Sequence, residues 1–296
     1  MKKGSKILII VAIIAALIGG GVAGVIVLLN NLSPRTVVKT HSGPNIHVEE
    51  LSYFNGLEKI YGKVYLPQDT LGAKPVLICC AGLGTDSESW KGLCEKMAKK
   101  GWVTYSFDFR GGFPGSRSAG SVYDMSVKSE KADLEFVLQR IREEDFADPG
   151  HVYLIGHSQG ALVAALVGAG FRREVAGMVL LAPAFNIPDL CAEKYPRNRD
   201  IPDSTFFINM NLGRKYFTDG KELNPYKWLG RYKNDVLILH GEDDTLVPIS
   251  YAEKAAETFP NAELVRLPGV AHRFDGKVTA KMHALVEAFL DKELAK

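Results

Sequence analysis

Short apolar runs recur along this chain at residues 76–81, 103–107, 152–156, 178–182, 236–240 and 262–267. Runs of this length suit strands that are covered on both faces, as in the interior of a parallel sheet. Helical patterns separate most of them, at 88–100, 127–142, 159–169, 251–259 and 278–290. The alternation predicts an α/β protein whose central sheet is mostly parallel and flanked by helices. Ahead of the first run, residues 48–54 and 59–66 alternate and are rich in β-formers. They are joined through Asn55-Gly56, a dipeptide that permits positive φ at both turn positions, so a hairpin is expected there. One interval breaks the rhythm. Between Pro183 and Asn234 the chain carries Pro188, Pro196, Pro202 and Pro225 and is too long for an ordinary connection, which predicts an inserted cap or lid at about 184–234.

The amino-terminal stretch obeys different rules. Residues 7–29 form a run of 23 without a charge. As a helix this spans about 34 Å, against roughly 30 Å of bilayer hydrocarbon. A transmembrane helix is therefore expected, retained as an anchor. The rival is a cleaved signal peptide with its apolar core at 7–18 and a cut near Ala23 or Gly24, although residues 25–29 stay apolar beyond that point. Lys2, Lys3 and Lys6 precede the run while Arg35 and Lys39 follow it, a modest bias that puts the amino terminus inside. Both readings leave the body outside the cytoplasmic membrane. The division expected is thus an anchor at 1–30, a linker at 31–45 and one domain at 46–296.

Charge and cysteine content narrow the function. The net charge is +2, yet once the three leading lysines are set aside the body has 33 basic and 34 acidic residues. A nearly neutral body is no polyanion binder, so no nucleic-acid partner is expected. Four cysteines, Cys79, Cys80, Cys94 and Cys191, are too few and too irregular for a disulfide framework and contain no CxxC pair for zinc. They read as buried small hydrophobes.

Gly156-His157-Ser158-Gln159-Gly160 follows the strand at 151–155 and opens the helix at Gln159. Glycines on both sides let the backbone turn sharply, which exposes the serine above the sheet with a helix amino terminus beneath it. A serine hydroxyl is a poor nucleophile unless a base oriented by a carboxylate lies within reach. On this kind of sheet the partners follow in the order serine, acid, histidine. His240 ends a strand and precedes the acid candidates, and His283 sits in a helix where a surface position is expected. His272, in the loop at 269–274, is left as the base. For the acid, Glu242, Asp243 and Asp244 stand in a row after the strand at 236–240.

These residues resemble the α/β-hydrolase superfamily, and within it the bacterial cinnamoyl/feruloyl esterase-like hydrolases, over nearly the whole body from His47 to Leu294. The family's D-x-x-V-P acid motif is met by Asp244-Thr245-Leu246-Val247-Pro248 and its G-x-x-H motif by Gly269 to His272. The resemblance thus implies Asp244 as the acid, with Asp243 the second choice. Its oxyanion loop is met by Ala81-Gly82-Leu83-Gly84, with Ala81 in place of the usual histidine, which implies that the backbone N–H groups of Leu83 and Gln159 receive the oxyanion. Residues 107–116 look like the family's D-x-R-G loop, where Asp108 and Arg110 are expected to be structural and to pair with each other. Residues 223–236 resemble the end of an esterase cap. Phe206, Phe207, Tyr216, Phe217, Tyr226 and Trp228 either line an acyl or aryl pocket there or only glue the lid to the sheet.

The implied activity is hydrolysis of carboxylic esters through an acyl-enzyme on Ser158, His272 and Asp244, with no metal or organic cofactor. It would fail as a histidine base is protonated, near pH 6 to 7. A small-molecule ester is the expected substrate, and the membrane the expected partner through the amino-terminal helix. Peptidase, thioesterase, lysophospholipase and acyltransferase chemistry use the same residues, because lid and pocket select the leaving group. A non-catalytic surface binding protein on this fold is the reading of a different class.

Overall fold

The computed structural model describes residues 35–43, 45–69 and 72–296. The expected transmembrane helix at 7–29 lies outside the described residues, and among these no helix is long and apolar enough to cross a membrane.

In chain order the strands are β1 (Arg35–Gly43), β2 (Ile46–Asn55), β3 (Glu58–Ile60), β4 (Gly62–Pro67), β5 (Lys74–Cys80), β6 (Val103–Phe107), β7 (Ala147–His157), β8 (Gly177–Leu181), β9 (Ser204–Phe207), β10 (Met210–Gly213), β11 (Val236–Gly241) and β12 (Ala262–Leu267). The α-helices are α1 (Lys91–Ala98), α2 (Val127–Arg142), α3 (Gln159–Gly170), α4 (Ile187–Lys194), α5 (Arg214–Lys221), α6 (Ser250–Thr258) and α7 (Lys277–Leu294). Ten strands form one sheet in the order β1-β2-β4-β6-β5-β7-β8-β11-β12, with β3 also on β2. From β6 to β12 every pairing is parallel, whereas β1, β2, β3 and β4 pair antiparallel.

The apolar runs are unbroken because both faces of the parallel strands are covered. In β5, Val76, Ile78 and Cys80 join one buried cluster and Leu77 and Cys79 the other. Helices α2 and α3 lie on the first face through residues such as Leu134, Leu138, Leu162 and Val163. Helices α1 and α7 lie on the second through Leu93, Met97, Val286 and Leu290. All four cysteines are buried and unpaired, as expected of small hydrophobes.

Three details depart from the sequence reading. Residues 35–43, expected within a linker, form β1, which pairs with β2 from Arg35↔Tyr53 to Gly43↔Ile46. No apolar run announces it because it is an edge strand, and Val37 and Val38 are exposed. The hairpin turns one residue later than Asn55-Gly56 suggested. Asn55 pairs with Glu58, so Gly56 and Leu57 occupy the turn, and only Gly56 has positive φ, +64°. This is the backbone of a II′ turn. Asp108 and Arg110 are structural but do not pair with each other. Asp108 accepts from the amides of Ser87 (2.9 Å) and Arg117 (3.2 Å), whereas Arg110 holds Asp133 through Nε at 2.6 Å and its own amide at 2.8 Å.

Candidate active site

In the parallel part of the sheet, β5 leads out to β6 and the chain then crosses back to β7, so that loops at the carboxyl edge leave a crevice between β5 and β7. The turn from β7 into α3 stands there. Ser158 caps α3 with φ +55° and ψ −120°, a conformation that costs a non-glycine residue about 1–3 kcal/mol. The strain is imposed by close packing. A Cβ on Gly160 would lie 2.3 Å from the carbonyl oxygen of Cys80 and 2.4 Å from that of Ala81, so only glycine lets α3 press against the end of β5. The amide of Ser158 is tied down by the carbonyl of Leu181 at 2.9 Å.

His272 arrives from the loop after β12. Its Nε2 lies 2.9 Å from Ser158 Oγ and its Nδ1 2.7 Å from Asp244 Oδ2. The serine hydroxyl therefore donates to Nε2 while the N–H at Nδ1 donates to the carboxylate. Asp244 follows β11, and its Oδ1 accepts from the amides of Leu246 and Val247, each at 2.9 Å. Its side chain is buried. Burial pushes its carboxyl upward, but hydrogen bonds from His240, His272 and the Val247 amide outweigh this and hold it well below the usual carboxylate range. Glu242 and Asp243 are exposed, so of the three acids only Asp244 faces the histidine.

Two further histidines, to which the sequence reading gave no site role, brace this group. His240 is buried, with Nε2 donating to the carbonyl of Val247 at 2.8 Å and lying 3.4 Å from Asp244 Oδ2. His157, beside the serine, donates from Nε2 to the carbonyl of His272 at 2.9 Å and packs its ring 5.0 Å from that imidazole. Burial pulls its pKa down to about 4, against the opposing bond to His272. The only sequence signal for either was its place next to a site residue or at a strand end. His283, expected at the surface, is partly buried.

Leu83 and Gln159 line the pocket at Ser158 together with Ala184, Asn186, Ile187 and Ile208 among others. Among the described residues neither backbone amide has a protein acceptor, which leaves both free to bind an anion, at Gln159 with the field of the α3 amino terminus. The insertion between β8 and β11 covers this spot. Asn209 Nδ2, between β9 and β10, donates to the carbonyl of Leu83 at 3.5 Å, and Asn186 Nδ2 donates to that of Leu246 at 2.9 Å. The space left at Ser158 is about 20 Å³, hardly more than one water needs. A larger cavity of about 320 Å³, lined by His157, Trp90, Phe274 and Met282, lies beyond Gly82 and does not border the serine.

Of the six lid aromatics, Tyr216 borders the pocket. Phe207 and Phe217 pack with it, Tyr226 stacks on Phe185, and Phe206 and Trp228 are exposed. Five of the six thus serve lid packing or solvent, not the pocket wall. Among the described residues no cluster suited to a metal ion occurs.

Comparison with known proteins agrees with this architecture. A family profile described as "Serine aminopeptidase, S33" matches residues 72–215, and one described as "alpha/beta hydrolase fold" matches residues 209–274. The ferulic-acid complex of Est1E from Butyrivibrio proteoclasticus superposes with a TM-score of 0.74 at 24% identity, covering 82% of this chain and 98% of that one. Acetyl xylan esterase 1 from Thermoanaerobacterium sp. JW/SL YS485 gives 0.68 at 17% identity, covering 88% of each chain. Among curated sequences, the human acylamino-acid-releasing enzyme is 23% identical over 174 residues, 54% of this chain and 22% of that protein. A Mycoplasma pneumoniae protein given an esterase/lipase name is 30% identical over 103 residues, 34% of this chain and 35% of that protein. The chain thus spans about a third or less of the length of these curated relatives. With the sheet order, the strand–serine–helix turn and both profiles in agreement, the chain has the α/β-hydrolase fold.

Proposed function

We propose that this protein is a serine esterase that cleaves carboxylic esters through an acyl-enzyme on Ser158. One observation carries the reading: Ser158 Oγ, both nitrogens of His272 and Asp244 Oδ2 form a continuous chain with links of 2.9 and 2.7 Å. Ser158 attacks the ester carbonyl while His272 Nε2 takes the hydroxyl proton. The same nitrogen then gives that proton to the departing alcohol, and Asp244 stabilises the imidazolium formed in between. A water, deprotonated by His272, attacks the acyl carbonyl and restores the serine. The amides of Leu83 and Gln159 receive the developing oxyanion, worth roughly 3 kcal/mol per donor.

Ester cleavage is favoured over aminopeptidase action by the wall of the pocket. Among the described residues that border it, Leu83, Ala184, Asn186, Ile187, Leu190, Ile208, Tyr216, Leu246 and Val247 stand around Ser158 and Gln159, with no carboxylate to hold a substrate ammonium group. Esters of ferulic acid, the molecule bound to Est1E, and acetyl xylan, after the name of the second structure, are the first to try. The full chain in detergent would be assayed with p-nitrophenyl acyl esters, hydroxycinnamate esters and aminoacyl anilides, beside Ser158→Ala. Loss of ester hydrolysis in the variant supports the reading; equal rates in both proteins, or turnover of the anilides alone, would sink it.

The reading further places the domain outside the cytoplasmic membrane, tethered by residues 7–29, because that stretch carries no charge over 23 residues and follows three lysines. Protease added to intact cells should digest the domain; complete protection would contradict the orientation.

A further inference from the structure

The residue that offers the oxyanion amide also has a buried side chain with two partners. Gln159 is 1% exposed, Glu130 on α2 2% and Tyr216 on α5 1%. The Tyr216 hydroxyl donates to Gln159 Oε1 at 2.7 Å, and Gln159 Nε2 donates to Glu130 Oε2 at 2.8 Å. Both ends of the amide are thus occupied, by a residue of the lid on one side and of the core on the other. The lid helix is held to α2 a second time, where Ser126 Oγ donates to Asp219 at 2.6 Å and Lys128 reaches the same carboxylate at 3.3 Å.

Tyr216 and Gln159 both border the pocket at Ser158, so the lid helix and the oxyanion residue meet at the site itself. We propose that Tyr216 and Glu130 are positioning residues that, by holding the Gln159 side chain at both ends, keep the backbone amide of residue 159 aimed at the oxyanion. This rests on the serine-esterase reading above. A side chain anchored at both ends restrains the first turn of α3, where the amide points at the oxyanion. Without the Tyr216 hydroxyl, Oε1 loses its donor and the turn is free to shift.

Glu130 makes the arrangement sensitive to alkali. Burial, with Asp133 adding to it, raises Glu130 to about 8, against the bond from Gln159. The titratable groups facing it are Asp133 on α2, Cys80 on β5 and Tyr216 on α5. Near neutrality it is thus a neutral acid. Above pH 8 it becomes a carboxylate in contact with the side chain of the oxyanion residue, and the charge opposes the one that develops in the reaction.

The test uses the full chain, with active sites counted by fluorophosphonate labelling and p-nitrophenyl butyrate turnover measured from pH 6 to 9.5. Tyr216→Phe should lower kcat per labelled site roughly tenfold, a fraction of the 10²–10³ lost with an entire oxyanion donor, with KM within about twofold. The wild-type kcat should decline above about pH 8, and Glu130→Gln should remove that decline. A per-site kcat in Tyr216→Phe within twofold of wild type, or an unchanged alkaline limb in Glu130→Gln, would overturn the proposal. If Tyr216→Phe does not fold, the alkaline limb alone decides. Failure of the wild type to label or turn over would instead remove the esterase reading, and this proposal with it.

Discussion

Replacing Glu130 by glutamine measures what a buried acid costs this fold. Burial first, then the neighbouring Asp133, raise its carboxyl from 4.5 to about 8, with the Gln159 bond in opposition. The sign follows from linkage: a group raised on folding leaves stability intact below its unfolded value and removes it as pH climbs toward the folded one. At about 1.36 kcal/mol per pH unit, the loss between pH 5 and pH 8 comes to roughly 3 to 4 kcal/mol. Glutamine keeps an oxygen for Gln159 Nε2 and has no proton to lose. Asp133, raised to about 6, titrates in both proteins and cancels from the difference. Urea unfolding at pH 5, 6.5 and 8 should therefore show the variant gaining on the wild type by roughly 3 to 4 kcal/mol across the range. With an m-value near 3 kcal/mol/M, that gap appears as a midpoint difference widening by roughly 1 M. A stability gap that stays constant with pH would refute the argument, since only a proton held in one state and not the other gives it a slope.

Asp244→Asn should fold, because an amide oxygen can still accept from Leu246 and Val247, yet lose about 10⁴ in kcat through the wrong histidine tautomer; steady-state rates within tenfold of wild type would contradict the acid assignment. His157, lowered to about 4 by burial, binds its proton more weakly folded than unfolded, so its contribution is complete above pH 6.5 and declines as pH falls toward 4. Thermal melts should show a loss of roughly 3 kcal/mol over that window that His157→Phe lacks, and identical slopes in both proteins would dispose of it. Gly160→Ala gains about 1 kcal/mol of helix propensity, but its Cβ at 2.3 Å from the Cys80 oxygen should cost more, leaving the variant at least 2 kcal/mol less stable; a raised Tm would mean that α3 does not sit so close to β5.

The relation between chain and fold differs from one residue to the next. Strand β6 at Val103–Phe107 and helix α2 at Val127–Arg142 have the bounds that periodicity predicts, and Ser158 lies on the strand-to-helix turn that its flanking glycines require. Local rules suffice in those cases, because burial on both faces, helical spacing and turn chemistry are written in adjacent residues. The order of serine, acid and histidine belongs with them, since it reflects the sequence of loops along one sheet edge. The edge strand β1, the partners of Asp108 and Arg110, and the bracing of the site by His240 and His157 did not emerge in that way. Each depends on a neighbour supplied by a distant segment. Arg110 finds Asp133 and Gln159 finds both Glu130 and Tyr216 only after α2, α3 and the lid have packed on one face of the sheet. What neighbouring residues encode by themselves is which elements form and that Ser158 stands on the turn between strand and helix. Which polar groups satisfy one another is decided by packing, because a buried donor or acceptor takes whatever partner the assembled layers bring within 3 Å.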